Sequence, residues 1–450
     1  MRTSQHIAFI PNNTEAYLEH CLKCVKQGNY RFLFRPFNNR ALELYQALKS
    51  ALPADRFLSL QFFSEAQANL SLPEGIQAAT DSTAIDEIVV FSDPNLKVSA
   101  LLMDYLDQKN VSIVAPIISI HSSFRPLFLI SIPKAGTHLL YELAQALGFN
   151  AGVHCPEQPS PQNWYCLKGT NSHTEAKDFL IHAAKDHYFA LRNHPFKQSP
   201  VLLIYRNPLD ILVSEANYYH KAENTVFSGY LSHLSFEQRL EKLVNDPLLL
   251  GSIRDRVNAY AAWLEFSNVI PVSFEELVGT QGGGQHDKQI ALIWSLQLKL
   301  HVSGDPEQIA GKVFNPQSAT FHHGCLGAHR DKLTPKALQD FNALPQDFMQ
   351  TFGYEAPESL EKANAEISVF SRRIESFRKR PLITESVKFD QLPLCAEYQY
   401  LDHNIIKYQN LFFAVPLSAG ALDLRTMSNS EIKRFKHHAD IGVLKSSLKA

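Results

Sequence analysis

The chain alternates short apolar runs with stretches whose apolar residues recur every three or four positions. Between residues 6 and 120 the runs His6 to Pro11, Arg31 to Pro36, Arg56 to Phe63, Asp86 to Ser92 and Val111 to Ile120 are rich in Ile, Val, Leu and Phe and predict strands. Glu15 to Gln27, Asn39 to Ala51 and Leu96 to Asp107 carry the helical period between them. Strands alternating with helices imply a parallel sheet with helices on its faces, so residues 1–122 read as a Rossmann-like or flavodoxin-like α/β domain. That stretch holds no G-x-G-x-x-G, and the pattern alone gives no evidence for a dinucleotide site.

A second α/β pattern starts at Pro126. Phe128 to Pro133 predicts a buried strand, Gly136 to Leu147 a helix, His187 to Phe196 and Val201 to Tyr205 two more strands, and Pro208 to Lys221 a helix with Pro in its first turn. Helices follow at Phe236 to Asn245, Arg254 to Phe266 and Lys288 to Leu300, with a strand at Val269 to Phe274. Helices at Pro335 to Ala343 and Pro345 to Thr351 close this unit near residue 356. Pro357 to Lys388, dense in charge at Arg372, Arg373, Arg378, Lys379 and Arg380, predicts an exposed helix and linker. Tyr398 to Asp402, Asn404 to Lys407 and Asn410 to Val415 predict short strands, with Gly420 to Leu424 after them. The expected organisation is an α/β domain at 1–122, a second α/β domain at 123–356, and a helical linker with a small β-rich appendage at 357–450.

Composition narrows the classes. At 450 residues with 45% hydrophobic and 20% charged residues, the chain has the makeup of a multidomain globular protein. A formal charge of −2 supplies no global field for nucleic acid or an anionic membrane, so any bound anion must be held by a local site. No apolar run reaches the roughly eighteen residues that cross a bilayer, and the start has no leader-like pattern. Six cysteines are too few for a disulfide framework, and a cytoplasmic location is expected. Cys21 and Cys24 have no partner pair for zinc. The groups His154, Cys155, Cys166, His173 and His322, His323, Cys325, His329 match no common metal spacing, so no metal is expected. Gly282 to Gly284 reads as a flexible loop.

Chemistry concentrates in two segments. Ile132-Pro133-Lys134-Ala135-Gly136-Thr137-His138-Leu139 lies between a strand and a helix, where free backbone N–H groups, a small Ala-Gly pair, Lys and Thr make a phosphate cradle. Lys134 precedes Gly136, so this is not the G-x-x-x-x-G-K-[ST] loop, and taken alone it also fits a plain turn. Tyr205-Arg206-Asn207-Pro208-Leu209-Asp210 ends a strand and opens a helix in which Ser214, eight residues after Arg206, faces the strand end, so the two side chains can hold one anion.

Together these segments resemble the Y-P-K-S-G-T-T-W and R-N-P-x-D-x-x-x-S motifs of the sulfotransferases that use 3'-phosphoadenosine 5'-phosphosulfate. Leu191-Arg192-Asn193-His194-Pro195-Phe196 is similar to the family's K-T-H-L-P segment, and His194 follows Lys134 by sixty residues. Thr320-Phe321-His322-His323-Gly324-Cys325-Leu326-Gly327-Ala328-His329-Arg330 resembles the late F-R-K-G-x-x-G-D-W-K loop, and Ser273-Phe274-Glu275-Glu276-Leu277 the Tyr-Glu-Asp-Leu-type strand end. The resemblance runs in order over residues 126 to 356 and implies a P-loop-like parallel-sheet fold.

It also implies roles. His194 would be the general base on an acceptor hydroxyl, and Lys134 would meet charge growing on the leaving phosphate. Lys134, Ala135, Gly136, Thr137 and His138 would form the 5'-phosphate loop, Arg206 and Ser214 the 3'-phosphate pair, and Phe321, His323, Gly324 and Arg330 the late nucleotide loop. The acceptor would bear a hydroxyl, with a glycan as the favoured class. Four departures stand out. His138 and Leu139 take the places of the second Thr and the adenine-stacking Trp, and His322 and His323 take the places of Arg and Lys. Two other classes stay open: a nucleotide-dependent phosphotransferase, for which the loop lacks a metal-holding Ser or Thr after Lys, and a non-catalytic nucleotide- or glycan-binding protein.

Overall fold

The structure is a computed structural model. It describes residues 7–25, 30–64, 72–79, 87–94, 102, 105–106, 111–156, 158–167, 171–176, 196, 199–221, 227–246, 251–266, 268–315, 325–359, 398–408, 411–419, 424 and 427–449.

The first part of the chain forms a six-stranded parallel sheet of β1 (Ile7–Ile10), β2 (Arg31–Arg35), β3 (Gln61–Ser64), β4 (Ile76–Ala78), β5 (Glu87–Phe91) and β6 (Val111–Pro116), in the order β1-β6-β5-β2-β3-β4. Helices Thr14–Val25 and Asn39–Ala51 turn Tyr17, Cys21, Leu44 and Leu48 into the core on one face. The expected strand Arg56 to Phe63 divides: Pro53 and the acidic Asp55 start a short helix, Ala54–Leu58, and only Gln61–Ser64 pairs with β2. Val111 to Ile120 stops as a strand at Pro116, and Ile118 makes an isolated bridge to Gly304. Strand β4 was not foreseen from its short apolar content. The expected helix Leu96 to Asp107 lies largely outside the described residues.

The second sheet is also parallel, with β7 (Leu127–Ser131), β8 (Asn150–His154), β9 (Asn163–Cys166), β10 (Val201–Tyr205) and, at its edge, β13 (Val269–Ser273) in the order β13-β10-β7-β9-β8; the two-residue pair β11 (Asn245–Asp246) and β12 (Gly251–Ser252) stands apart. All five residues of β7, of β10 and of β13 are buried, which explains their unbroken apolar runs. The run Arg254 to Phe266 breaks after Asn258 into a 3-10 turn, Ala261–Glu265, where Trp263 enters the core and donates its indole N–H to the Thr174 carbonyl at 2.8 Å. Helix Pro306–Val313, capped by Asp305 with Pro in its first turn, is an addition to the expected set, as are β8 and β9. The predicted strand His187 to Phe196 lies outside the described residues apart from Phe196.

One apolar cluster runs from Leu33, Val89 and Ile113 of the first sheet to Leu129, Ile204 and Trp294 of the second part. Trp294 donates to the Pro116 carbonyl at 2.8 Å and meets Phe9 at 5.8 Å between ring centroids. The α/β expectation for both parts therefore holds in the form of two parallel sheets with a common core between them.

Near the C-terminus β14 (Tyr398–Tyr400), β15 (His403–Tyr408), β16 (Leu411–Pro416) and β17 (Lys436–His438) form an antiparallel sheet, against which helix Ile441–Lys449 places Leu444. The strand pattern supplied the first three of these strands, whereas β17 is three exposed polar residues with no periodicity to reveal it. The charged stretch 360–397, and with it most of the expected exposed helix, lies outside the described residues.

Candidate active site

The end of β7 makes the first wall of the site. After Ser131 the chain turns tightly, the Ala135 N–H closing on the Ile132 carbonyl at 3.0 Å, and helix Thr137–Ala146 begins. Two residues of the turn have positive φ: Lys134 at 64° and Gly136 at 105°. A Cβ on Gly136 would lie 2.6 Å from Phe274 Cδ2, so neither the backbone conformation nor the space admits a side chain. Lys134, being non-glycine, holds this conformation at a cost that the surrounding packing must offset. The turn thus presents the first N–H groups of a helix, which lack intrahelical partners, towards an open cleft of about 610 Å³. Gly136→Ala is expected to lose about 1–3 kcal/mol of stability through strain and contact with Phe274, read as a lowered thermal midpoint.

Lys134 lines this cleft with its Nζ 3.4 Å from the centroid of the Tyr218 ring. Burial lowers its pKa to about 8; Glu215 opposes the shift, and the Arg206 and Lys221 charges add to it. Thr137 and His138 line the cleft too, and Thr137 Oγ1 lies 2.7 Å from Ser131 Oγ and 3.0 Å from His173 Nε2. His173 opens onto the cleft, yet protein surrounds enough of its ring that desolvation, helped by the Lys134 and His138 charges, takes its pKa down to about 4. Leu139 stands at the cleft where the resemblance expects Trp, while Trp164 is buried and stacks on Tyr141 with centroids 4.7 Å apart.

Strand β10 makes the second wall. Asn207 caps helix Pro208–Tyr218 by accepting from Leu209 N at 2.9 Å, and Pro208 starts it. Arg206 and Ser214 both line the same cleft as Lys134, the juxtaposition that their spacing anticipates. The Arg206 guanidinium is buried over the Phe274 ring at 4.1 Å. Its Nη2 donates to Asp210 Oδ2 at 3.1 Å and to the Cys325 carbonyl at 2.7 Å. Its Nε is buried and has no partner among the described residues.

Asp210 gathers the late loop. Besides Arg206, it accepts from the backbone N–H groups of Gly327 and His329, each at 3.0 Å, and pairs with His329 Nδ1 at 2.7 Å. Burial alone would raise its pKa, but Arg206 and the His329 contacts outweigh burial and hold the carboxyl well below the usual range. The glycine turn completes the hold, since Leu326 N donates to the Gly282 carbonyl at 2.9 Å. That turn is close-packed where a flexible loop was expected: a Cβ on Gly284 would lie 2.9 Å from the Glu275 carbonyl oxygen. Glu275 itself accepts from Asn207 N at 2.9 Å and from the Tyr354 hydroxyl at 2.8 Å; desolvation pushes its pKa up to about 7 against the Asn207 hydrogen bond and the Arg206 charge.

The structure therefore brings Lys134, Gly136, Thr137, His138, Arg206 and Ser214 to one cleft, with Ala135 buried beneath the turn. Arg330 packs back on the Gly327 turn and is not among the residues that line the cleft, whereas Lys332 is. His194, Phe321, His323 and Gly324 lie outside the described residues. Asp210, His329 and Glu275 lie within the motif segments, where the sequence gives them no role. His173 enters the sequence reading only in a grouping that matches no metal spacing, and its place at the cleft depends on a loop after β9. Tyr218 and Tyr219 also line the cleft. Among the described residues no group of three or more His, Cys, Asp or Glu is placed to hold a metal ion, and no helix is long and apolar enough to cross a membrane.

The family model of the sulfotransferase domain matches residues 124–281. The crystal structure of mouse sulfotransferase SULT7A1 complexed with PAP aligns with 50% of this chain and 85% of its own length at 20% identity, with a TM-score of 0.37. No curated protein matches the chain.

Proposed function

Residues 124–281 form a sulfotransferase-family domain, and from that premise we propose that the protein moves a sulfuryl group from 3'-phosphoadenosine 5'-phosphosulfate to an acceptor hydroxyl. The observation that carries the reading is the meeting of Lys134 and the Gly136–Thr137 helix start with Arg206 and Ser214 in one cleft. A donor with a phosphosulfate at one end and a 3'-phosphate at the other needs two separated anion grips. The strand ends of β7 and β10 supply one each.

In this reading Lys134, with the helix N-terminus, stabilises charge developing on the departing phosphate oxygen, and Arg206 and Ser214 hold the 3'-phosphate. His194 takes the proton from the acceptor hydroxyl. The transferase unit is proposed to span 123–356, in the cytoplasm, with residues 1–122 and the C-terminal sheet presenting or recognising the acceptor, for which a glycan is the proposed class.

Transfer of labelled sulfuryl groups to a panel of glycans and small alcohols tests the proposal, and absence of transfer to any of them would count against it. Loss of activity in EDTA would favour phosphotransfer instead. Because Lys134 is cationic only below about pH 8, affinity for adenosine 3',5'-bisphosphate is expected to fall as pH rises through that value. Lys134→Arg, charged throughout, is expected to flatten the fall in calorimetric titrations from pH 6.5 to about 9.5.

A further inference from the structure

Ser131, Thr137 and His173 form a chain of contacts that ends on the Ile132 carbonyl. Ser131 and Thr137 each have one hydroxyl hydrogen. Ser131 Oγ lies 2.9 Å from the Ile132 carbonyl, which can only accept, so the one order that makes all three contacts hydrogen bonds spends the Ser131 hydrogen there. The 2.7 Å contact between Ser131 and Thr137 must then use the Thr137 hydrogen. The 3.0 Å contact between Thr137 and His173 must in turn use a hydrogen on His173 Nε2. The order is His173 to Thr137 to Ser131 to Ile132, and the Thr137 hydrogen points away from the cleft.

We propose that His173 is a positioning residue for Thr137, and that the His173–Thr137–Ser131 chain reverses its far half when an anionic oxygen enters the loop. Thr137 turns its hydrogen to the anion, and Ser131 turns its own from the Ile132 carbonyl to Thr137 Oγ1. That carbonyl keeps the Ala135 N–H at 3.0 Å, so no group is left bare. His173 Nε2 goes on donating, and two donations into one hydroxyl oxygen strengthen the hydrogen bond it gives. No bond is made or broken in the exchange. The ligand class is a phosphate or sulfate ester oxygen at the start of helix Thr137–Ala146. The inference rests on the anion-site part of the proposed function and deepens it.

Calorimetry with adenosine 3',5'-bisphosphate and, separately, inorganic pyrophosphate tests it on the full chain. Thr137→Val and His173→Ala are each expected to weaken binding roughly 10-fold, the value of one charge-assisted hydrogen bond. The double variant is expected to bind no more weakly than Thr137→Val, because His173 acts only through that hydroxyl. His173→Gln, which keeps an N–H donor on a side chain of similar reach, is expected to recover binding to within about 3-fold. Wild-type affinity in His173→Ala, with its thermal midpoint unchanged, would overturn the inference, as would losses that multiply in the double variant. If the wild type binds pyrophosphate but not the nucleotide, with the same variant pattern, the inference stands and the donor assignment falls. If it binds neither, both fall.

Discussion

Lys134→Ala is expected to lower sulfuryl transfer from labelled donor by about 100- to 1,000-fold, the usual cost of deleting one preorganised group that meets transition-state charge. The side chain sits at the cleft with its ammonium against the Tyr218 ring, while its backbone adopts φ 64°. Alanine keeps the loop's backbone groups and removes only the charge, so the thermal midpoint should change far less than the rate. The loss should appear in kcat more than in KM, since the interaction strengthens as the bridging oxygen gains charge. His194→Ala should lose transfer by about 100-fold or more as a missing general base. Near-wild-type rates in both variants would dismiss the proposed roles.

Asp210→Ala is expected to give the largest loss of stability, about 3–5 kcal/mol, because removing one partner of a buried ion pair strands the other. The carboxylate serves Arg206, the Gly327 and His329 N–H groups and the His329 ring, and is itself 1% exposed. Arg206 would keep the Cys325 carbonyl but lose its buried counter-charge, and the Gly327 and His329 backbone N–H groups would lose this acceptor. A fall of roughly 10 °C in thermal midpoint follows for a domain of this size. Its pH dependence has a definite sign. The folded carboxyl is held below its unfolded value, so its contribution is full above the ordinary carboxylate range and is lost as pH falls through the lower folded value. Wild type and Asp210→Ala should therefore converge in stability in strong acid. Because the same carboxylate fixes Arg206 and the turn at 327–329, the variant should also bind adenosine 3',5'-bisphosphate more weakly.

The readable parts of the fold share one property: each strand or helix declared its own burial. Leu127–Ser131, Val201–Tyr205 and Val269–Ser273 are buried on both faces, so they read as unbroken apolar runs. Asn38 before Asn39–Ala51 and Asn207-Pro208 before the second-wall helix are local caps with local signatures. Where the structure departs from the expected elements, the cause is a local breaker in one case and a distant contact in another. Ala54–Leu58 is apolar enough for a strand, but Pro53 and Asp55 start a helix whose Arg56 reaches the Val25 carbonyl at 2.6 Å. Trp263 ends its helix to reach Thr174, 89 residues away.

The candidate site divides in the same way. The sequence by itself determined the two strand-to-helix junctions, because a residue such as Gly136, a capping Asn207 and the Lys134, Arg206 and Ser214 positions act through neighbours within a turn or two. Only the tertiary structure decided that both junctions open onto one cleft, which requires β7 and β10 to be adjacent and parallel. It also decided that Asp210 holds a loop 117 residues further along the chain, and that His173 faces Thr137 across 36 residues. Hydrogen bonds and ion pairs between segments have no period and no fixed spacing, so they leave no mark in the order of residues. Burial and capping are local, and they do.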